Sequence, residues 1–294
     1  MGRTGAFEGP EALRGGLAPK VVDAHQHFWW RDRARYAWLD PNDPVLARDF
    51  TPEELRPQLP AAGVQQTVVV QADPSVEETQ FLLEMAEQTD FVVGVVGWVD
   101  LERDDVVATI DDLQQSPYFV GIRPMLQDLS DAQWVLRPAV VRHLHALAER
   151  GLAVDWLVTP RELPAILTIM QEIPTLTAVI DHLAKPHGMT ETWAQTMAAL
   201  AQFPHCACKL SGLATLDPTA DGGDWLRQAI QWVWDGFGPN RLIFGSDWPV
   251  ALSGGWSYDT IIARTRQWLP TMTVREEAAI FGANAQRWYG LTPT

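Results

Sequence analysis

The amino-acid sequence predicts one α/β domain, a (β/α)8 TIM barrel, and two observations lead to this prediction. Eight short runs of β-branched and apolar residues recur along the chain, and segments whose apolar residues lie three and four apart, as in amphipathic helices, separate them. The chain has 294 residues, 47% of them hydrophobic, which is enough to bury one large core. Eight strands alternating with helices over about 250 residues are typical of this barrel.

The eight predicted strands are short runs of β-branched or apolar residues. They span residues 21–25, 66–72, 91–99, 119–124, 152–158, 176–182, 206–212 and 241–247. A closing helix is predicted within "TVREEAAIFGANAQRWYG", because Thr273 and Glu276 fit a capping box that satisfies free backbone donors of the first turn. Residues 1–19 are rich in glycine and proline without periodicity, so we expect a flexible leader before a domain at 20–294.

Composition restricts the partners and the compartment. The formal net charge of −15, with only 22 lysine and arginine residues, predicts that neither nucleic acid nor an anionic membrane surface is bound. No stretch approaches the roughly 20 apolar residues of a membrane span, and no signal peptide or glycine-rich nucleotide-binding motif is present, so no nucleotide cofactor is expected. Cys206 and Cys208 lie too close together for an ordinary disulfide, which favours a reducing, cytoplasmic location.

Polar side chains collect at the ends of the predicted strands. In a TIM barrel the carboxyl ends of the strands form the active site, so these residues are the candidates for chemistry. The set is His25, His27, Gln71, Trp98, Asp100, Arg123, Asp155, Trp156, His182, Lys209, Ser211 and Asp247.

Four of these residues form the predicted catalytic set. His25 and His27, in "VVDAHQHFWW", are two apart on a strand and therefore project to the same side. Asp247 follows strand eight, which neighbours strand one in a closed barrel, and His182 follows strand six. Imidazoles with one carboxylate and a position left for water suit a single catalytic zinc ion, so these four residues are also the candidate metal ligands. The alternative is that the histidines fill the core.

Five further residues are predicted to bind substrate. Arg123 offers a planar, charged donor fork, although an ion pair with Asp155 would also account for it. The tryptophans could stack on a sugar ring or pack in the core. Lys209 could bind a substrate oxygen or pair with a structural carboxylate. Lys185 and His187 follow strand six closely enough to line the rim of the site, but both are expected in a solvated loop. The predicted substrate-binding residues are Arg123, Trp30, Gln71, Trp156 and Lys209.

Several motifs resemble those of the amidohydrolase superfamily. These are "VDAHQHFWW", "YAWLD", "GIRPMLQD", "VIDHLAKP", "KLSGL" and "RLIFGSDWPV", and the likeness runs from about residue 20 to the C-terminal "IFGANAQRWYGL". They resemble more narrowly the amidohydrolase 2 branch, which contains sugar lactonases acting on L-fucono- and L-rhamnonolactone and a pyrone-dicarboxylate lactonase. The resemblance implies hydrolysis of an aldonolactone in sugar-acid catabolism, with water attacking the ester carbonyl and Asp247 as general base.

The sequence departs from the full metal-binding pattern of the superfamily. Arg123 stands where that pattern offers a bridging carboxylate or carbamylated lysine, and Asp155 and Trp156 stand where it offers a histidine. A binuclear centre is therefore not expected, and two alternatives remain open: one Zn²⁺ or a site without metal. The rival functions are a lactonase or metal-dependent decarboxylase for a carboxylated aromatic intermediate, and an inactive barrel that binds a sugar or a protein.

Overall fold

Eight parallel strands form the centre of the molecule, seen in a computed structural model that describes residues 20–33, 36–217 and 223–291. The strands pair in sequence order, and each overlaps its predicted range, which confirms the (β/α)8 barrel. The predicted leader, residues 1–19, lies outside the described residues. The strands are β1 Val22–Gln26, β2 Gln66–Val70, β3 Val92–Gly97, β4 Phe119–Ile122, β5 Ala153–Trp156, β6 Ala178–Ile180, β7 Cys206–Leu210 and β8 Leu242–Phe244.

The barrel closes between β8 and β1 through residues that follow the strands. Asp247 N donates to His25 O at 2.7 Å, and His27 N donates to Trp248 O at 2.7 Å. Gln26 and Trp248 form a parallel bridge at the same place. These hydrogen bonds continue the parallel ladder past the short strand β8, so the polar residues after β8 lie beside those at the end of β1.

Helices follow the strands and cover the outside of the barrel. The α-helices are α1 Pro52–Leu55, α2 Gln58–Ala62, α3 Val76–Glu87, α4 Val106–Leu113, α5 Pro138–Arg150, α6 Leu163–Glu172, α7 Glu191–Leu200, α8 Leu213–Leu216, α9 Asp224–Phe237, α10 Tyr258–Trp268, α11 Val274–Ala278 and α12 Asn284–Trp288. Short helical turns occur at Leu126–Asp128, Trp134–Leu136, Asp181–Ala184, Pro239–Arg241 and Val250–Gly254, and a π-helical turn at Ala279–Ala283 joins α11 to α12. No helix of the described residues is long and apolar enough to cross a membrane.

Local sequence signals account for several helix ends. Ser75 caps α3 by accepting a hydrogen bond from the backbone N–H of Glu78 at 3.2 Å. Gly151 ends α5 in the left-handed conformation, with φ 68°. The predicted capping box is confirmed, because the Thr273 hydroxyl accepts from Glu276 N and the Glu276 carboxylate accepts from Thr273 N.

Small apolar side chains fill the barrel itself. One cluster takes members from all eight strands and from the C-terminal segment, a combination that only the interior of a closed barrel can bring together. Its members include Val22, Ala24, Val68, Val70, Val96, Val120, Ala153, Val179, Ala207, Ile243, Tyr289 and Leu291. A second, larger cluster packs the strands against the helices. Cys206 and Cys208 are buried free thiols on β7.

The capping box at α11 gives a test of local stability. We expect Thr273→Ala to lower the free energy of unfolding by about 1 kcal/mol, because the backbone N–H of Glu276 in the first turn loses its side-chain hydrogen-bond acceptor. Urea denaturation measures the change. Thr168→Ala is the matched control, since this exposed hydroxyl only bonds back to Pro164 O within α6 and its loss should stay within about 0.5 kcal/mol. Equal losses in the two variants would contradict the capping role.

Candidate active site

Three ligand atoms meet where β8 closes onto β1. His25 Nε2 lies 3.2 Å from His27 Nε2 and 3.7 Å from Asp247 Oδ1, and His27 Nε2 lies 3.3 Å from the same carboxylate oxygen. Two ligands at about 2.0–2.1 Å from a tetrahedral zinc ion are about 3.3–3.4 Å apart. The spacing of these donors therefore fits a single divalent cation.

The second ring nitrogen of each imidazole, Nδ1, lies close to an oxygen atom. His27 Nδ1 lies 2.7 Å from Val70 O, and because a carbonyl only accepts, Nδ1 carries the hydrogen and Nε2 keeps its lone pair. His25 Nδ1 lies 3.3 Å from Asp181 Oδ1. Burial lowers the pKa of both histidines, well below the usual value for His25, so both are neutral near pH 7. Neutral imidazole is the form that binds a metal.

A buried charge cluster lies beneath His25. The Lys209 ammonium donates to Asp155 and lies 3.2 Å from Asp181 Oδ1, and the Tyr289 hydroxyl donates to Asp155 Oδ1 at 2.8 Å. Burial opposes ionisation of Asp181, but Lys209 and His25 outweigh it and hold the pKa of this carboxyl well below its usual range. Burial raises the pKa of Asp155 despite the neighbouring Lys209. Lys209 therefore holds two carboxylates in place and orients His25 from below.

Arg123, after β4, is fixed by Gln71. Its Nη2 donates to Gln71 O and lies 3.3 Å from Gln71 Oε1, while Gln71 Nε2 donates to Arg123 O at 3.0 Å. Nη1 lies 3.4 Å from His25 Nε2 and 4.0 Å from Asp181 Oδ2. The guanidinium is thus held in one orientation. Its nearest carboxylate is that of Asp181, and not that of Asp155, the partner considered in the alternative interpretation.

The segment after β6 has an unusual backbone. Four consecutive residues from His182 to Lys185 have φ between 45° and 59°, in the left-handed region, and none is glycine. This conformation costs L-residues about 1–2 kcal/mol each. Side chains hold it in place: His182 Nδ1 lies 2.8 Å from Ser211 Oγ, and the buried Trp193 Nε1 donates to Leu183 O at 2.7 Å. The strained turn brings both His182 and Lys185 to the wall of one cavity.

His182 lies beside the three-ligand group. Its ring centroid is 4.6 Å from that of His25, and its ligand atoms group with His25 and Asp181. Burial lowers its pKa to about 4, so the imidazole is neutral near pH 7. Gly212 makes room for it, because a Cβ there would lie 2.7 Å from His182 Nδ1. His182 therefore lies against His25, next to the three ligand atoms of His25, His27 and Asp247.

A cavity of about 230 Å³ opens above these residues. An adjoining cavity of about 460 Å³ shares Trp38 and Met125 with it and carries the acidic residues Asp100, Glu102 and Asp128. The first cavity, which we call the active-site cavity, is lined by His27, Trp38, Ala72, Arg123, Met125, Gln127, Leu157, His182, Lys185, Thr215, Asp247 and Val250.

Four predicted substrate-binding residues lie elsewhere. Among the described residues, the lining of the active-site cavity does not include Gln71, Trp156, Lys209 or Trp30. The first three are fully buried, since their side chains fill space or hold charges beneath the site. Trp30 packs edge-on against Phe81, with ring centroids 5.0 Å apart. Of the five residues predicted to bind substrate, Arg123 lines the cavity.

Two residues of the site, Lys185 and Asp181, differ from the expectations drawn from the sequence. Lys185 was expected in a solvated loop, but it is mostly buried and lines the active-site cavity, whereas His187 is exposed as expected. Asp181 is not among the candidates, although it lies in a motif that carries the family resemblance. Trp38, one of the tryptophans near strand ends that could stack on a sugar ring or pack, does line the cavity. The lining position of Trp38 depends on its indole N–H, which donates to Ala72 O at 2.7 Å.

Comparison with known proteins places this arrangement in a family. The family model Amidohydro_2, described as amidohydrolase, matches residues 22–291. The chain belongs to the amidohydrolase family. The resemblance noted from the sequence motifs is therefore confirmed over nearly the whole barrel of this amidohydrolase.

Two relatives and one solved structure are similar over most of the chain. An L-fucono-1,5-lactonase from Burkholderia ambifaria is 43% identical over 276 residues, which cover 91% of this amidohydrolase and 94% of the relative. An L-fucono-1,5-lactonase from Burkholderia multivorans is 33% identical and covers 92% and 96% of the two chains. A crystal structure of an amidohydrolase from Burkholderia multivorans with bound zinc is 33% identical, has a TM-score of 0.85 and covers 93% of this chain and all of that one.

The buried charge cluster predicts unequal effects for its two partners. Lys209→Met leaves two buried carboxylates without their cation, and we expect the free energy of unfolding to fall by about 3–5 kcal/mol. Asp155→Asn keeps the Lys209–Asp181 pair and should cost only about 1–2 kcal/mol. Urea denaturation of both variants compares them. If Asp155→Asn proved the more damaging substitution, Lys209 would not be the central charge of the cluster.

Proposed function

We propose that this amidohydrolase hydrolyses a neutral aldono-1,5-lactone, such as L-fucono- or L-rhamnono-1,5-lactone, to the aldonic acid. The observation that carries the proposal is an ionised carboxylate, Asp247, held beside neutral imidazoles and one guanidinium at the wall of a small cavity. The activity of two relatives, 43% and 33% identical to this chain, supports the choice of substrate.

Asp247 is the proposed general base. Burial alone would raise its pKa, but His182, which is positively charged at the acidic pH where this carboxyl titrates, outweighs burial together with His27 and holds the pKa well below its usual range. The carboxyl group is therefore ionised at neutral pH. It takes a proton from the attacking water as the C–O bond to the carbonyl carbon forms, and returns that proton to the ring oxygen as the ester bond breaks.

Positive charge and hydrogen-bond donors are proposed to stabilise the carbonyl oxygen. Arg123 lines the cavity with a fixed guanidinium, and His182 presents a neutral imidazole beside it. Donors that are already oriented stabilise developing charge without reorganising. A zinc ion held by His25, His27 and Asp247 would supply Lewis-acid polarisation of the same carbonyl.

The charge of the adjoining cavity favours a neutral substrate. Asp100, Glu102 and Asp128 line this cavity, which shares Trp38 and Met125 with the active-site cavity. Like charges in a partly buried cavity repel an anion. This supports a sugar lactone over the rival substrate, a carboxylated intermediate of aromatic degradation.

A lactone panel tests the proposed activity. We expect rapid acid release, followed with a pH indicator, from L-fucono- or L-rhamnono-1,5-lactone, with kcat/KM of about 10⁴ M⁻¹s⁻¹ or more for the better substrate. A lactone that carries a free carboxylate should react much more slowly. The proposal would be contradicted if no neutral aldonolactone were hydrolysed faster than its spontaneous rate.

The proposed base has its own test. We expect Asp247→Asn to lower kcat by about 10²–10⁴-fold while the protein stays folded, because the amide cannot take a proton from water. Asp90→Asn is the matched control, since this exposed carboxylate pairs with Arg56 on the surface and should leave kcat unchanged. A variant lacking the Asp247 carboxylate that kept most of its turnover would rule out this assignment.

Zinc binding can be measured independently of turnover. After chelation, incubation with Zn²⁺ and gel filtration, we expect the unmodified protein to retain one zinc per chain and His27→Ala to retain almost none. His145→Ala, which removes an exposed histidine 3.9 Å from Glu172, is the control for adventitious binding. Metal analysis by mass spectrometry gives the ratio. Equal zinc in all three proteins would contradict the proposed ligand set.

A further inference from the structure

We infer that Lys185 is a catalytic residue, whose ammonium group donates a hydrogen bond to the ring oxygen of the lactone as the ester bond breaks. This inference rests on the proposed lactone hydrolysis and adds a residue to it. Lys185 lines the active-site cavity, and among the charged groups around it Asp247 has the largest effect.

Among the residues that the structure describes, none forms an ion pair or a hydrogen bond with the Lys185 ammonium. No carboxylate of residues 20–33, 36–217 and 223–291 lies within 4 Å of its ammonium, although Asp247, Asp181 and Asp128 all act on it at longer range. The buried Lys209, by contrast, contacts a carboxylate directly. A mostly buried ammonium that faces a cavity without a hydrogen-bond partner has donors available for a bound molecule.

The backbone supports a role for this side chain. Lys185 is the last of the four left-handed residues after β6, and its N–H donates to His182 O at 2.8 Å within that turn. Its own φ of 45° is unfavourable for a residue with a Cβ. Strain of this kind persists only where surrounding contacts enforce it, and it concentrates at functional sites. Here one strained turn places both His182 and Lys185 in the lining of the cavity that Asp247 also lines.

The proposed step keeps all atoms in balance. Water adds to the carbonyl carbon, and its proton goes to Asp247. The tetrahedral intermediate then breaks the bond between the carbonyl carbon and the ring oxygen, and the electron pair passes to that oxygen. Lys185 stabilises the developing alkoxide by hydrogen bonding and charge, Asp247 returns the proton, and Lys185 stays protonated throughout.

Substitution and chemical restoration test the role of the ammonium group. We expect Lys185→Met to lower kcat by about 10²–10³-fold with little change in KM, because the interaction forms mainly in the transition state. Lys185→Cys should be equally impaired. Treating it with 2-bromoethylamine forms a C–S bond with loss of bromide and rebuilds a lysine analogue, which should recover at least a tenth of the original kcat.

The same chemistry provides the controls. Cys206 and Cys208 are fully buried, and burial raises the pKa of Cys206 to about 12, so treatment should leave the unmodified protein unalkylated and active. Alkylation of Lys185→Cys with 2-bromoethanol gives a neutral adduct of similar size and should restore nothing. Mass spectrometry confirms each adduct, and circular dichroism confirms that each variant is folded.

The outcomes separate this inference from the proposed function. If the unmodified protein hydrolyses no aldonolactone, the proposed function fails. If it does, but Lys185→Met keeps its kcat or the hydroxyethyl adduct recovers as much as the aminoethyl adduct, the role of the Lys185 ammonium is refuted while the lactonase remains. Recovery with the aminoethyl adduct alone supports the ammonium and excludes a merely structural side chain.

Discussion

The site depends on the hydrogen bonds that close the barrel between β8 and β1. Because β8 ends at Phe244, Asp247 lies past the strand and is held by its own N–H, which donates to His25 O. The close approach also requires Gly245, where a Cβ would lie 2.5 Å from the Cβ of His25. The three ligand atoms of His25, His27 and Asp247 are therefore brought together by the same contacts that complete the fold.

The charges beneath the site explain how a neutral imidazole persists beside so many ionised groups. Lys209 balances Asp155 and Asp181, and Arg123 is held by Gln71. Burying ions is unfavourable unless their partners and hydrogen bonds are all supplied, so this cluster adds less stability than an apolar core of the same size would. The cluster instead fixes the position of His25: it contacts the Nδ1 side of the ring and leaves His25 Nε2 facing Asp247.

The sequence was sufficient to predict the barrel and its polar mouth, because strand periodicity and alternating helices follow from local patterns. It also placed His25, His27 and Asp247 together, since strands one and eight are neighbours in a closed barrel. The sequence cannot show which strand-end side chains face the cavity and which point into the core. Gln71 and Lys209 are therefore predicted to bind substrate, whereas in the structure both are fully buried and neither lines the active-site cavity. Lys185 was misplaced because its left-handed backbone depends on tertiary contacts.

Left-handed backbone conformations of non-glycine residues are concentrated at the active site. Asp247, with φ 58°, and the turn from His182 to Lys185 both occupy the left-handed region and both line the active-site cavity. Asp247 keeps its conformation because the barrel-closing hydrogen bond fixes its N–H, and the turn keeps its conformation because the buried Trp193 bonds to its backbone. The unfavourable backbone energy is offset by contacts that form only in the complete fold. A base and two donor groups are thus oriented before substrate arrives, which spares the reaction the energy of reorganising them.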